Sequence, residues 1–360
     1  MRLSFARFQK ALTRGLGQMA RVNRSVKWFC ILGLVLLLPR GSAQESFRPV
    51  SPQDGMNAAF LEQLSQLKED QIAFRPILLE ITQRAREDLL TGTLDFEETS
   101  RGLDEMVKDL APQLSPEDDR EKIVTTLNRY LFEDQKFHAD ASKLFSGSLE
   151  TLLLSSVLKT KAGNCLSLSL IYLYVSDALE LPIYGVMLPE HFFVRYGAAE
   201  DSFRNIETTD QGRNLPNPYY LKEYARGYQD AVVLKNLTKR QVIAVYLSNL
   251  ANHYKLRGQY PKAILMFQTA LKLSSEIASI HTNFGNVLER SGRIEEAIEQ
   301  YHHSLELNPA ICETHNNLGL AHLLYTRQFL LALRIGRQAK ELGCRLHPDY
   351  ERFLKNSPQA

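Results

Sequence analysis

Residues 163–207 read GNCLSLSLIYLYVSDALELPIYGVMLPEHFFVRYGAAEDSFRNIE, and the reading of this stretch decides the fold. Cys165 stands directly before the apolar run Leu166 to Leu179, which has the length and composition of a buried helix of about four turns. Its sulfur therefore sits at a helix N-terminus, where unpaired backbone N–H groups and the positive end of the helix dipole favour negative charge. The run gives way at Leu181-Pro182 to a short apolar strand, Ile183 to Leu188, ended by Pro189. A second strand begins at His191, and its two-residue period puts His191, Phe193 and Arg195 on one face and Phe192, Val194 and Tyr196 on the other. Gly197 to Asp201 reads as a turn, with Ser202 to Glu207 returning. A symmetric five-residue loop pairs Tyr196 with Ser202 and sets His191 across from Glu207 on the same face. A two-residue slip brings Asn205 opposite His191 instead, which keeps Asn205 open as an alternative orienter.

A cysteine at a helix start, a histidine on one strand and an acid on the next supply the nucleophile, base and orienter of thiol catalysis. The segments Thr160-Lys161-Ala162-Gly163-Asn164-Cys165, Leu188-Pro189-Glu190-His191-Phe192-Phe193-Val194-Arg195 and Asn205-Ile206-Glu207 resemble the core motifs of the transglutaminase-like superfamily. With Asn128-Arg129-Tyr130-Leu131-Phe132 ahead of them, the chain is similar to the bacterial SirB branch. The resemblance covers roughly residues 50 to 230 and implies a papain-like α+β domain. It also implies that Cys165 is the nucleophile and His191 the general base and acid. Glu207 then takes the position usually held by aspartate, one methylene shorter. One oxyanion donor is offered by the backbone N–H of Cys165, and the sequence names no second.

Ahead of this stretch the pattern is helical. Phe60, Leu61, Leu64 and Leu67 recur at three and four, and Ile77, Ile81, Ala85 and Leu89 recur every fourth residue after Pro76. Ser115-Pro116-Glu117-Asp118 reads as an N-cap and first turn, opening a helix that buries Ile123, Leu127 and Leu131. After the strands, residues 210 to 235 hold Gly212, Asn214, Pro216, Asn217 and Pro218 before Tyr219-Tyr220-Leu221, the composition of an irregular flap. Its aromatics either shape a substrate mouth or pack on the domain.

The chain has 360 residues and a net charge of +2, but the first 43 carry eight Lys or Arg and no acid. Residues 44–360 carry 35 basic against 41 acidic side chains, a balance of −6 that makes no electrostatic case for nucleic-acid binding. The first 43 residues read as a targeting segment: a basic region ending at Arg24 and Lys27, the apolar run Trp28 to Leu38, then Gly41-Ser42-Ala43. Export to the periplasm is the expectation, with contact to the inner membrane only if the segment stays uncleaved as an anchor. Cys30 leaves with a cleaved signal, so Cys165, Cys312 and Cys344 remain, an odd number that requires a free thiol. Cys312 and Cys344 lie at the two ends of one helical hairpin and are expected to form a disulfide.

The C-terminal part repeats. Leu250-Ala251, Tyr254, Ala263, Phe267 and Ala270 recur 34 positions later as Phe284-Gly285, Leu288, Ala297, Tyr301 and Ser304. Leu318-Gly319, Ala332 and Ala339 come next as a third set after a one-residue slip, and Pro309 ends the second repeat. This is the tetratricopeptide signature. The third repeat, the residues after Gly343, or the thiol domain must cover the open ends of the stack. Asn249, Asn252, Asn283, Asn286 and Asn317 fall on the inner helices, where amides either bind an extended peptide or bond between repeats. His281, His302 and His303 have no metal-ligand spacing, and neither metal nor cofactor is called for.

The expected architecture is a targeting segment (1–43), an α+β transglutaminase-like domain with a helical N-terminal part (50–235), an all-α repeat array (240–345) and a tail (346–360). The expected activity is acyl transfer or hydrolysis at a peptide or protein amide, with a protein or peptide partner held by the repeats. The competing expectation is an inactive transglutaminase-like scaffold carrying a protein-binding repeat module.

Overall fold

The computed structural model describes residues 56–90, 96–115, 117–140, 148–197, 203–224 and 232–357. The expected targeting segment at 1–43 lies outside them. Four helices lead in: α1 (Met56–Gln66), α2 (Phe74–Leu89), α3 (Phe96–Leu110) and α4 (Arg120–Asn128). On α2 the stripe Ile81, Ala85 and Leu89 is buried and is extended backward by Leu78 and Phe74. Pro76 lies in the first turn, where its missing N–H costs no helical bond. α4 begins later than Ser115-Pro116 suggests. Asp119 is its N-cap, accepting from the Lys122 N–H at 2.8 Å, while the Ser115 N–H donates to Asp118 in a separate turn. Asp119 prevails because a helix opened there turns Ile123, Val124 and Leu127 inward together. Leu131 is buried on a single π-type turn, Arg129–Asp134, directly after α4.

A two-residue parallel pair, β1 (His138–Ala139) with β2 (Ala162–Gly163), brackets α5 (Leu154–Thr160) and delivers the chain to α6 (Cys165–Ala178). Every residue of α6 from Leu166 to Ser176 is buried, as expected of a helix that is apolar on all sides. β3 (Ile183–Leu188), β4 (His191–Tyr196) and β5 (Arg204–Ile206) form an antiparallel sheet in that order. Phe192, Val194 and Ile206 join the main core with α6, whereas Val186, Leu188 and Phe193 form a second apolar cluster with Tyr220. Tyr220 belongs to α7 (Asn217–Glu223), so the flap supplies the cover for that face.

The register of β4 on β5 differs from the symmetric-loop expectation. Tyr196 pairs with Arg204 rather than Ser202, an offset of two residues. The offset runs opposite to the slip that would set Asn205 against His191; Asn205 pairs with Arg195. Because strand side chains alternate with period two, Glu207 stays on the His191 face and becomes its diagonal neighbour.

Three helical hairpins complete the chain's C-terminal part: α8 (Lys239–Leu256) with α9 (Tyr260–Leu273), α10 (Ala278–Arg290) with α11 (Ile294–Leu307), and α12 (Cys312–Leu324) with α13 (Phe329–Glu341). One apolar core runs from Leu61 through α6 and the first two repeats to Leu318 and Ile335 of the third. The first repeat is also tied to α2 by polar contacts: Tyr254 and Lys262 both reach the Asp88 carboxylate, at 2.9 and 2.7 Å, and Tyr246 meets Thr82 at 3.0 Å. At the other end the residues expected as a tail form α14 (Pro348–Asn356), whose fully buried Tyr350 donates to the Ala332 carbonyl at 2.5 Å. A Cβ at Gly319 would lie 1.9 Å from the Tyr350 hydroxyl, so this glycine is what lets α14 close the stack. Cys312 and Cys344 are joined as a disulfide with Cα atoms 5.2 Å apart, and Cys165 is free.

Candidate active site

Asn164 caps α6. Its side chain accepts from the Ser167 N–H at 2.9 Å, and the Ser167 hydroxyl accepts from the Asn164 N–H at 3.0 Å and donates to the Thr151 carbonyl at 2.6 Å. This reciprocal cap pins the first turn and leaves the N–H groups of Cys165 and Leu166 without hydrogen-bond partners among the described residues. The half-buried Cys165 is the first residue of α6, and its own N–H is an open donor at the helix start.

His191 begins β4 immediately after a tight turn in which Glu190 takes the left-handed conformation, φ +58°. Its Nε2 lies 2.7 Å from Glu207 Oε2, and both side chains are almost fully buried, at 6% and 5% exposure. The Cys165 side chain also acts on the imidazole, favouring its charged form. With Nε2 committed to Glu207, Nδ1 is the nitrogen left for the sulfur. Burial opposes a charge on the ring, but the interactions with Cys165 and Glu207 outweigh it and raise the His191 pKa from 6.5 to about 10. For Glu207, burial works to raise the pKa, while hydrogen bonds from His191 and Thr209 hold it below the usual carboxylate value. The pair is therefore an imidazolium and a carboxylate across the neutral range.

Glu207 accepts four hydrogen bonds. Oε2 takes His191 and the Tyr220 hydroxyl, the latter at 3.1 Å; Oε1 takes the Thr209 N–H at 3.1 Å and the Thr209 hydroxyl. The next link runs back to the nucleophile: the Thr208 hydroxyl contacts Ser169 at 3.0 Å and the Cys165 carbonyl at 3.4 Å. The loop after Glu207 is closed by Gly212, at φ +75°, whose carbonyl accepts from Asn128 Nδ2 at 3.1 Å. Asn128 in turn accepts from Tyr172 on α6 at 3.2 Å. The Asn128-to-Phe132 segment thus acts on the site at a distance, by fixing the Glu207 loop against the cysteine helix.

Asn205, the alternative orienter, is engaged elsewhere. It accepts from Arg195 Nε at 2.7 Å and donates to the Leu215 carbonyl at 2.8 Å and to Asn217 at 3.0 Å. Arg195 adds bonds to Asn217 and to the Leu234 carbonyl and lies over the Phe203 ring at 4.0 Å. This buried cluster anchors α7 on the sheet. The residues that sequence reasoning did not assign are the two flap tyrosines it holds there. Tyr220 stacks on Phe193 at 4.1 Å and bonds Glu207, and Tyr224 lies flat on His191, with centroids 4.3 Å apart and planes 9° apart. Only the clustering of aromatics in the flap pointed to them.

The amides of the repeats divide. Asn286 accepts from Asn317 at 2.6 Å and from the Tyr301 hydroxyl at 2.9 Å, and donates to Glu313 at 2.9 Å, so these two bond between repeats. Asn249 donates to the Val245 carbonyl of its own helix at 2.9 Å. Asn252 and Asn283 have no hydrogen-bond partner among the described residues, and the Asn252 carbonyl oxygen is buried. No cluster of three or more metal-ligating side chains occurs among the described residues.

Comparison with known proteins agrees with this architecture. Residues 97–248 match the model of the transglutaminase-like superfamily, and residues 285–324 match that of a tetratricopeptide repeat. The chain thus carries a transglutaminase-like domain followed by a tetratricopeptide helical region. Among curated proteins it is similar to a UPF0162 protein of Xylella fastidiosa (strain Temecula1), 26% identical over 159 residues, covering 42% of this chain and 55% of the relative. A UPF0162 protein of Buchnera aphidicola is 24% identical over 135 residues, covering 38% of this chain and 48% of that one. The chain spans about half the length of the curated relatives it matches. Among solved structures, menin is 13% identical with a TM-score of 0.43, covering 83% of this chain and 86% of menin. MamA is 15% identical with a TM-score of 0.29, covering 73% and 98%. Neither score is high enough to carry an argument.

Proposed function

We propose that this protein is an exported thiol enzyme of SirB type that acts on peptide or protein amides, with Cys165 as nucleophile, His191 as base and acid, and Glu207 as orienter. The observation that carries the reading is the buried 2.7 Å bond between His191 Nε2 and Glu207 Oε2, with Cys165 close enough to favour the charged imidazole. His191 already holds the thiol proton as the sulfur attacks the acyl carbon, and passes it to the departing amine. Glu207 holds the ring in the one orientation that serves both steps. Water as the second acceptor makes the reaction a hydrolysis; an amine makes it a cross-link.

The repeats fit a substrate-recruiting role. The Glu190 carboxyl, next to His191, is raised first by desolvation and then by the charge of Glu313 on α12. Lys255 on α8 is lowered to about 8 by desolvation, against the pull of the same Glu313. The inner helices thus lie within electrostatic reach of the hairpin that carries His191, and the unpaired amide of Asn283 sits on one of them as a candidate for a peptide backbone. Periplasmic location, with an anchor if the segment before residue 44 is retained, completes the proposal.

The test is the rate of Cys165 alkylation by iodoacetamide from pH 5 to 9. A rate that holds up well below pH 7 and collapses in His191→Ala supports the enzyme. A rate that tracks an ordinary thiol titration and ignores His191 supports the scaffold.

A further inference from the structure

Acyl transfer at a cysteine needs two hydrogen-bond donors for the oxyanion, and the backbone at the start of α6 accounts for one. The hydroxyls around the site are mostly spent. Thr208 is tied to Ser169 and the Cys165 carbonyl, and Tyr220 and Thr209 both donate to Glu207. Tyr224 is the exception. It closes α7, its N–H bound to the Tyr220 carbonyl at 2.8 Å, and its half-buried ring lies parallel to His191 at 4.3 Å. Its hydroxyl has no hydrogen-bond partner among the described residues. Burial first, then the negative charges of Glu207 and, further down, Cys165 keep that phenol protonated, with its pKa pushed up to about 12.

We propose that the Tyr224 hydroxyl is the second oxyanion donor of this site, acting beside the Cys165 N–H. The inference rests on the reading that Cys165 attacks an acyl carbon. In that step the sulfur lone pair forms the C–S bond and the carbonyl π pair moves onto oxygen, while the thiol proton is held on His191. Tyr224 donates a hydrogen bond to the new oxyanion and keeps its own proton. On collapse the oxygen pair re-forms the carbonyl, the bond to the leaving nitrogen or oxygen breaks, and that atom takes the proton from His191. The position of the ring suits this role: parallel stacking holds the tyrosine against the base, and the Cys165 side chain is among the groups whose charge acts on its hydroxyl. A phenol so placed also distinguishes acylation from simple alkylation. Displacement of iodide from iodoacetamide by the sulfur develops no oxyanion and makes no use of the donor.

The experiment compares the full chain with Tyr224→Phe, His191→Ala and Cys165→Ala, using two probes: iodoacetamide, and p-nitrophenyl acetate for acylation of the sulfur. Tyr224→Phe keeps the stacked ring and is expected to alkylate within about twofold of the parent, while its acylation slows by about 10- to 100-fold. Equal acylation in Tyr224→Phe overturns the proposal and leaves the enzyme reading intact. Parallel loss of both rates also overturns it, because the tyrosine then works only by positioning His191. A parent chain that p-nitrophenyl acetate does not acylate at Cys165, judged against Cys165→Ala, sinks the acyl-transfer reading and this inference with it.

Discussion

Replacing Glu207 by alanine removes the acceptor of four hydrogen bonds from a site where both partners of the central pair are nearly inaccessible to water. It leaves a buried imidazolium, the Tyr220 hydroxyl and the Thr209 N–H without an acceptor. Each bond to a charged group contributes about 1.5–3 kcal/mol net, and returning the carboxylate's desolvation cost offsets part of the sum. The expected loss is about 3–5 kcal/mol, the usual cost of breaking a buried ion pair from one side. Glu207→Gln keeps the shape and one acceptor oxygen and should lose about half as much. The assay is urea unfolding followed by far-UV circular dichroism at pH 6, with the His191 titration followed by NMR in the same proteins. The His191 midpoint, about 10 in the parent, should fall in both variants. An alanine variant that loses less than about 1 kcal/mol, or a His191 midpoint that does not move, refutes the buried charged pair and the orienting role built on it.

The same geometry sets three further outcomes. The raised His191 pKa contributes stability fully below 6.5 that is lost as the pH rises through about 10, and the depressed Glu207 pKa contributes stability present above 4.5 that is lost on further acidification. The parent's advantage over His191→Gln in unfolding free energy should therefore be greatest between about pH 4.5 and 6.5 and shrink toward 10; a flat difference across that range is inconsistent with the pairing. Gly212→Ala places a Cβ 2.1 Å from Asn128 Oδ1 at a φ of +75° and should cost about 1–3 kcal/mol, read as a lowered urea midpoint, with slower Cys165 alkylation; an unchanged midpoint contradicts it. Mass measurement after alkylation should show Cys312 and Cys344 labelled only when reduction comes first, whereas Cys165 labels in either case; labelling of all three without reduction rules the disulfide out.

Much of this fold was legible because its signals are local. The limits of β3 and β4 follow from Leu181-Pro182, Pro189 and an alternating run, and Cys165 opens α6 because Asn164 and Ser167 cap each other three residues apart. The repeats declare themselves through small residues recurring at helix crossings. The β4–β5 register did not follow from loop symmetry, and α4 took Asp119 rather than Ser115 as its cap, because a helix opened there buries Ile123, Val124 and Leu127 together. The reach of Glu207 to His191 survived the misjudged register only because a slip of two preserves the face.

Identity and order along the chain were enough to place a thiol at a helix start, an imidazole at a strand start and an acid on the neighbouring segment. Which carboxylate oxygen meets which nitrogen, and that Tyr220 and Tyr224 close over the pair, depends on α7, a short helix formed within the flap that was expected to be irregular and held by Arg195, Asn205 and Asn217. Contacts of that kind join residues with no shared period, so no pattern in the sequence announces them. They arise only when burial forces every polar group on that face to find a partner, and the packed structure alone decides which.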